Sequence, residues 1–466
     1  MQSPDPSVPR AGPQLSPRER SADAVPFREA FRYWLRLGFI NFGGPAGQIA
    51  IMHDELVDKK RWISNARFLH ALNFCMLLPG PEAQQLAIYI GWLLNGTLGG
   101  VVAGVLFVLP AFFLILFLSW SFVVHGNVEW VAAIFYGLQA AVIAIVAAAV
   151  IRVGSKALTN AVMVTIAAVS FIAIFFVKTP FPLVVVTAGA VGLVGARLWP
   201  ARFTAPSEHA SGDDDVVLSN LKETRRERPS LRRGLSVLAI GLAVWWLPLL
   251  LVVLVRGTDD TLAREAFFFS QAALITFGGA YAVLAYINQA AVQTYGWLQP
   301  GEMVTGLGLA ESTPGPLIMV TQFVGFVAAY RFPGGLEPLT AGILGALVTV
   351  WATFAPCFLW IFLGAPYIER LRGNAALSAA LSSITAAVVG VILNLAVIFA
   401  VFALFGSVDQ GSFLSLTFPL PDLATLDLFA ATVAVIAFLG LTRQKWNVLW
   451  VVAGSAVAGL VQQSLM

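Results

Sequence analysis

The sequence predicts an all-α polytopic membrane protein made of two homologous, inverted-topology repeats with broken or re-entrant helices, about 13 membrane segments in all. Three observations predict it. Of the 466 residues 58% are hydrophobic and only 11% charged, with a mean hydropathy of +0.81, whereas a water-soluble domain has about a quarter of its residues charged. Apolar stretches of about 20 residues, the length of a helix that crosses a ~30 Å hydrocarbon core, recur from residue 27 to the C-terminus. The second half of the chain also repeats the first. Soluble enzymes, nucleic-acid readers and disordered hubs are excluded by this balance.

The elements follow in chain order. Residues 1–26 are rich in Pro, Ser and Arg and contain no apolar run; they read as a flexible tail without a signal peptide, expected to stay in the cytosol. Residues 27–197 form the first repeat, with a segment around Gly43-Gly44, a segment broken at Pro79-Gly80-Pro81, and ordinary spans at about 97–121, 128–151, 157–177 and 181–197. A polar stretch, 198–233, includes Asp213 to Asp215 and a basic run and reads as a cytosolic linker. A connecting helix at 234–256 follows. The second repeat, 262–466, has the same two special segments and then spans at about 338–363, 376–404, 424–441 and 446–465. The single connecting helix reverses the second repeat relative to the first.

An offset of 235 maps Phe42-Gly43-Gly44 onto Phe277-Gly278-Gly279, Trp62 onto Trp297, and Pro79-Gly80-Pro81 onto Pro314-Gly315-Pro316 without a gap; 11 of the 42 positions from Ile40 to Pro81 are identical. After an insertion of 11 residues around Arg331 to Thr340, an offset of 246 aligns Pro110-Ala111-Phe112 with Pro356-Cys357-Phe358. Internal repeats of this kind are common in secondary transporters. With the linker in the cytosol, Lys178, Arg256, Arg264 and Arg331 fall outside. If the GG and PGP segments both span, Lys59, Lys60, Arg61 and Arg67 join them and the Lys/Arg split is 20 inside to 8 outside. If both are re-entrant hairpins it is 24 to 4, which the positive-inside tendency favours.

Pro-Gly-Pro within an apolar segment removes backbone donors and permits unusual dihedrals, so it breaks the helix, and its second proline suits the first position of a new one. Broken backbone at membrane depth persists only where protein buries it or it lines an aqueous cavity. Half-helices starting near Pro45, Pro81, Pro316 and Gly279 would point free N–H groups and positive dipole ends into such a cavity, making an anion site. The alternative, helix kinks that permit close packing, is weakened because two different motifs recur at matching positions. The predicted substrate-binding residues are therefore Gly43, Gly44, Pro45, Pro79, Gly80, Pro81, Gly278, Gly279, Ser312, Thr313, Pro314, Gly315 and Pro316.

Charged groups near the breaks are few. Glu82 follows the first PGP and Glu311 precedes the second; an intramembrane carboxylate is costly and often functional, so either could couple protons, although Glu82 also suits a helix N-terminus through the dipole alone. Arg36 lies on the helix leading to Gly43. Glu55, Arg61 and Arg67 belong to a charged segment between the breaks, either a solvated cytosolic loop or an entrance where an arginine makes forked contacts to an anion. Cys75 and Cys357 read as packing residues. No metal ligand set, no Walker A loop and no cofactor are expected from the scattered histidines and the absent motifs.

With FGGP at Phe42 to Pro45, the charged segment ending in Arg61-Trp62, PGP at Pro79 to Pro81 and Pro314 to Pro316, and FGGA at Phe277 to Ala280, the sequence resembles the chromate ion transporter family, in the long form that fuses both halves. Ala280 departs from the proline of the first repeat. The resemblance implies export of chromate across the bacterial inner membrane, chromate resistance, and sulfate as a structural analogue. The expected partners are chromate, sulfate as a competitor and the lipid bilayer, with a homodimer left open and no nucleic acid. The rival readings are a sulfate or other oxyanion permease of the same architecture, a membrane-embedded phosphate-ester enzyme, for which no nucleophile and base are evident, and an interaction subunit without transport of its own.

Overall fold

The computed structural model describes residues 25–126, 128–203, 230–277, 280–365, 375–413 and 416–465. Residues 1–24 of the expected N-terminal tail, most of the linker, and Gly278 and Gly279 lie outside the described residues. The chain is an all-α polytopic membrane protein. Seven helices among the described residues are long and apolar enough to cross a membrane. Side chains such as Leu231, Leu254 and Trp450, each more than three-quarters exposed, leave an apolar outer surface that only lipid would solvate favourably.

The first two helices, α1 (Phe27–Ile40) and α2 (Gly44–His53, extended by a π-helical stretch Asp54–Lys59), are separated by the glycine break. At about 1.5 Å per residue, α1 reaches only about 20 Å. It runs alongside the second arm of α4 (Glu82–His125): Asn95 donates to the Val25 carbonyl at 3.0 Å, and Asn41 donates to the Phe107 carbonyl at 3.3 Å. Its start therefore lies at one face of the molecule, the near face, and its end at mid-depth. The chain then returns, because Lys60 pairs with Glu29 at 3.7 Å and Trp62 packs edge-on against Tyr33. The GG segment is a re-entrant hairpin.

The PGP segment is a second one. Helix α3 (Asn65–Cys75) descends from the near face and the first arm of α4 climbs back to it. Asn95 (φ −132°, ψ 22°) and Gly96 (φ 69°, ψ −160°) then reverse the chain. The two arms pack antiparallel: the Gly91 and Gly99 backbones touch, and Gln84 donates to the Gly104 carbonyl at 3.4 Å. Because both segments re-enter, Lys59, Lys60, Arg61 and Arg67 stand on the same face as the start of α1.

Helices α5 (Glu129–Ala157), α6 (Ala161–Phe175) and α7 (Phe181–Leu198) complete the first half, and α8 (Leu231–Arg256) carries the chain to the far face. There the pattern recurs upside down. Helix α9 (Thr261–Leu274) enters, α10 (Ala280–Gln289) leaves, α11 (Glu302–Ser312) enters, and α12 (Val320–Arg331) leaves after a 3₁₀ turn, Leu317–Met319. Arg331 clamps the mouths of both hairpins, with two bonds to Glu302 at 2.6 and 2.7 Å and one to the Trp297 carbonyl at 3.2 Å. Trp297 meets Phe268 at 5.8 Å and 74°, as Trp62 meets Tyr33 at 5.6 Å and 75°. Both residues of the second pair stand 235 positions after those of the first.

The eleven-residue insertion is the difference between two reversals. Asn95-Gly96 turns in place, whereas residues 332–337 form a loop before α13 (Pro338–Gly364). Arg256 holds that loop through the Gly334 carbonyl at 2.6 Å. Helices α14 (Ala375–Leu404), α15 (Leu428–Thr442) and α16 (Val448–Leu465) finish the chain. The predicted spans agree with these helices to within a few residues, but α6 and α15 are only 15 residues long. A β-hairpin, Val408–Phe413 paired with Leu416–Pro421, occupies the predicted loop between α14 and α15; its Val, Phe and Thr residues favour strand, and the short segment offers no helical face to bury.

Candidate anion site at the crossing of the hairpin tips

The near GG tip, both PGP loops and Thr276 at the end of α9 meet at mid-depth, and each PGP loop is held by the opposite repeat. The Gly80 N–H donates to the Thr276 carbonyl at 2.9 Å, and the Gly315 N–H donates to the Asn41 carbonyl at 3.2 Å. The partners are equivalent, since 41 and 276, like 80 and 315, are 235 apart. Gly80 and Gly315 adopt φ of 120° and 129°, values that L side chains rarely tolerate. A Cβ on Gly80 would also stand 2.9 Å from Cys357 Sγ and from Gln85 Nε2. These glycines permit both the reversal and the close approach that the exchange of hydrogen bonds needs. Cys75 and Cys357 are buried free thiols, as their packing role predicts.

A narrow cleft, closed in this conformation to anything as large as a water molecule, lies beside this crossing and is lined by Gly43, Gly44, Ala310, Glu311, Thr313, Gly315 and Leu317. It brings the GG tip of one repeat against the PGP tip of the other. Helix α2 starts at Gly44 and the 3₁₀ turn at Leu317, so two helix starts, whose first N–H groups have no partner within the helix, border it. Gln48, fully buried on α2, bridges the site by donating to the Asn41 carbonyl at 3.0 Å and the Gly315 carbonyl at 2.5 Å.

Several predicted positions differ. Pro81 and Pro316 are not the first helical residues. Each is the extended residue before the helix (φ −71°, ψ 106° and φ −62°, ψ 135°), because the turn is completed by the glycine and the backbone becomes helical only after the proline. Pro45 is the second residue of α2. The Ser312 and Thr313 hydroxyls both donate to the Leu309 carbonyl, at 2.9 and 3.0 Å, so their protons serve the end of α11. Glu82 begins α4 beside the first PGP but does not line the pocket. Arg36 is exposed on the outside of α1, Arg61 and Arg67 lie at the near face, and Glu55 pairs with Lys59 at 3.1 Å; none lines the pocket.

Glu311 does. It is 4% exposed and accepts a hydrogen bond from the Tyr281 hydroxyl at 2.5 Å. Arg152 of α5 is the cation whose charge acts on this pair. Sequence reasoning missed Gln48 and Tyr281 as site residues; Arg152, exposed on α5, bears on Tyr281 and Glu311 only through its charge. Gln48 alone had a signal, a polar residue one turn after the glycine break in an otherwise apolar helix. Nothing in sequence spacing links Tyr281 or Arg152 to Glu311.

A sequence profile described as "Chromate transporter" matches residues 28–193 and 264–460. The chain belongs to the chromate transporter family. It is 32% identical over 452 residues to the chromate transport protein of Pseudomonas aeruginosa, covering 95% of this chain and 94% of that one. It is 29% identical over 450 residues to the chromate transport protein of Cupriavidus metallidurans, covering 96% of each. With a probable chromate transport protein of Synechococcus elongatus it shares 29% identity over 375 residues, 80% of this chain and 85% of the relative. No solved structure matches the chain. For this transporter the matched stretches contain all four hairpin tips and the pocket they border.

Proposed function

We propose that the protein is a secondary active transporter that exports chromate from the bacterial cytosol across the inner membrane and so confers chromate resistance. The observation that carries this reading is the pocket where hairpins from opposite faces meet, with helix starts at Gly44 and Leu317 on its wall. Helix starts suit an oxyanion through N–H donors and positive dipole ends. The relatives' names supply the oxyanion, and the distribution of Lys and Arg supports a cytosolic near face and N-terminus. Residues 27–197 and 262–466 then act as opposed transport repeats, with the linker on the cytosolic side.

The substrate-binding set is centred on Gly43, Gly44, Thr313 and Gly315. Pro45, Pro79, Gly80, Pro81, Ser312, Pro314 and Pro316 shape the tips. Glu311 lies where the anion's charge would be felt. As a neutral acid it can donate to an oxyanion oxygen; ionised, it repels the dianion. Tyr281 accompanies it from α10 and Arg152 from α5, so binding and protonation at Glu311 are coupled. Expelling a dianion from a negative interior is downhill in voltage by roughly 4.6 kcal/mol at 100 mV, enough to drive export without a proton gradient.

The test is uptake of radiolabelled chromate into everted vesicles, for wild type and for a Gly80→Leu/Gly315→Leu double variant, with excess sulfate as competitor. Uptake by wild type that the expressed variant lacks supports the reading. Equal flux in both removes the site from the PGP tips. Flux of sulfate without chromate makes the protein a permease for another oxyanion.

A further inference from the structure

Away from the anion pocket, α9 carries Glu265, which is 0% exposed and has no hydrogen-bond partner on either carboxyl oxygen. It lies one turn inside the far face. Its side chain points at the crossing of α12 and α13: a Cβ on Gly345 would stand 3.0 Å from Glu265 Oε2 and would also press on the Gly325 carbonyl. Thr349, whose hydroxyl is likewise buried without a partner, packs on Gly325. The nearest charged groups make matters worse for an ion. Asp260 adds negative charge, and its own cation, Arg256 at 2.9 Å, is engaged with it and with Gly334. Arg264 faces outward to Asp259 at 3.5 Å. No titratable side chain of α12 or α13 meets Glu265 among the described contacts.

An ionised carboxylate cannot remain in such a place without a partner, whereas a neutral acid can donate to a helix carbonyl such as that of Gly325. The repeat sharpens the contrast, because the equivalent of Glu265 is Ala30, also buried. Packing of this helix pair therefore needs no carboxyl, and only the far hairpin has one. Helix α9 ends next to Thr276, whose carbonyl holds the Gly80 N–H at the hairpin crossing.

We propose that Glu265 is a proton-binding site, loaded from water at the far face, whose occupancy locks the far GG hairpin against α13. With the proton on a carboxyl oxygen, α9 stays packed and Thr276 keeps its hold on the first PGP loop. Loss of the proton to far-side water creates an ion that must be hydrated, so α9 is displaced and that hold is released. A ligand can shift such an equilibrium only through its different affinity for the two states, and a proton that binds the packed state alone does so. The link to transport rests on the function and orientation proposed above; the protonation itself does not.

Two measurements test it. Infrared spectra at neutral pH of purified protein carrying Glu82→Gln and Glu311→Gln, which removes the carboxyls beside the two PGP loops, should contain a carboxylic-acid carbonyl band that exchanges slowly in D2O and is lost when Glu265→Gln is added. Absence of that band before Glu265→Gln is added, or its persistence afterwards, overturns the proposal whatever the substrate. In everted vesicles, where the lumen is the far side, wild-type chromate uptake should vary with lumenal pH, and both Glu265→Gln and Glu265→Ala, the latter copying Ala30, should transport without that variation. Unchanged dependence on lumenal pH in active variants overturns the gating role.

Discussion

Gly80 and Gly315 each combine a left-handed backbone with the donor that crosses to the other repeat, so their substitution separates backbone strain from lost chemistry. Alanine at either position forces a side chain into φ near 120° or 129° and should cost about 1–3 kcal/mol. The expected result is a lower melting temperature of the purified protein, with transport reduced more than expression. Glu311→Gln keeps the volume and a hydrogen-bond partner for Tyr281 while removing the ionisable group. Transport by this variant should persist and become insensitive to pH on the side to which the pocket opens, measured as initial rates across a pH series. At this scale the glycines and prolines were legible because they are rare, paired and physically restrictive. Glu311 was legible as a carboxylate in an apolar run. Its partner Tyr281, 30 residues earlier, was not, because its contact depends on how α10 leaves the far hairpin.

At the scale of elements, each hairpin depends on its mouth as well as its tip. Arg331 closes the far hairpins through a forked pair with Glu302, and Arg331→Met should destabilise the protein by about 2 kcal/mol, seen as a lower thermal midpoint in detergent. Glu337 caps α13: the Leu339 and Thr340 N–H groups and the Thr340 hydroxyl hold its carboxyl below the usual carboxylate range. Because the folded value is depressed, its contribution is present at neutral pH and is lost as pH falls through that value. Glu337→Ala should therefore lower the melting temperature at neutral pH and approach wild type in acid. Helix positions were legible from length and hydropathy. The break between the PGP segment and the span starting near residue 97 was legible too, but that the chain reverses there, at Asn95-Gly96, could not be read from the apolar run itself. The 24-to-4 charge count was the clue, and it acts through the membrane rather than through local sequence.

At the scale of the whole molecule, two hairpins enter from each face and exchange hydrogen bonds at mid-depth. That exchange gives a physical reason for the repeat: a tip built from glycine and proline cannot satisfy its own backbone, and an inverted copy supplies the missing carbonyls. A displacement of the tip in one repeat therefore breaks a hydrogen bond to the other. The offset of 235 was legible in full from sequence, whereas the reciprocity of Gly80 with Thr276 and Gly315 with Asn41 belongs to the three-dimensional fold alone.

The most direct test of this architecture is the sidedness of single cysteines, Arg61→Cys and Gln293→Cys, in a background lacking Cys75 and Cys357, labelled in intact cells with a membrane-impermeant maleimide. Re-entrant hairpins from opposite faces, with the near face cytosolic, predict that Gln293→Cys is labelled in intact cells and Arg61→Cys only in everted vesicles. Labelling of both cysteines from the same side would contradict hairpins that enter from opposite faces, and labelling of Arg61→Cys in intact cells with Gln293→Cys protected would contradict a cytosolic near face.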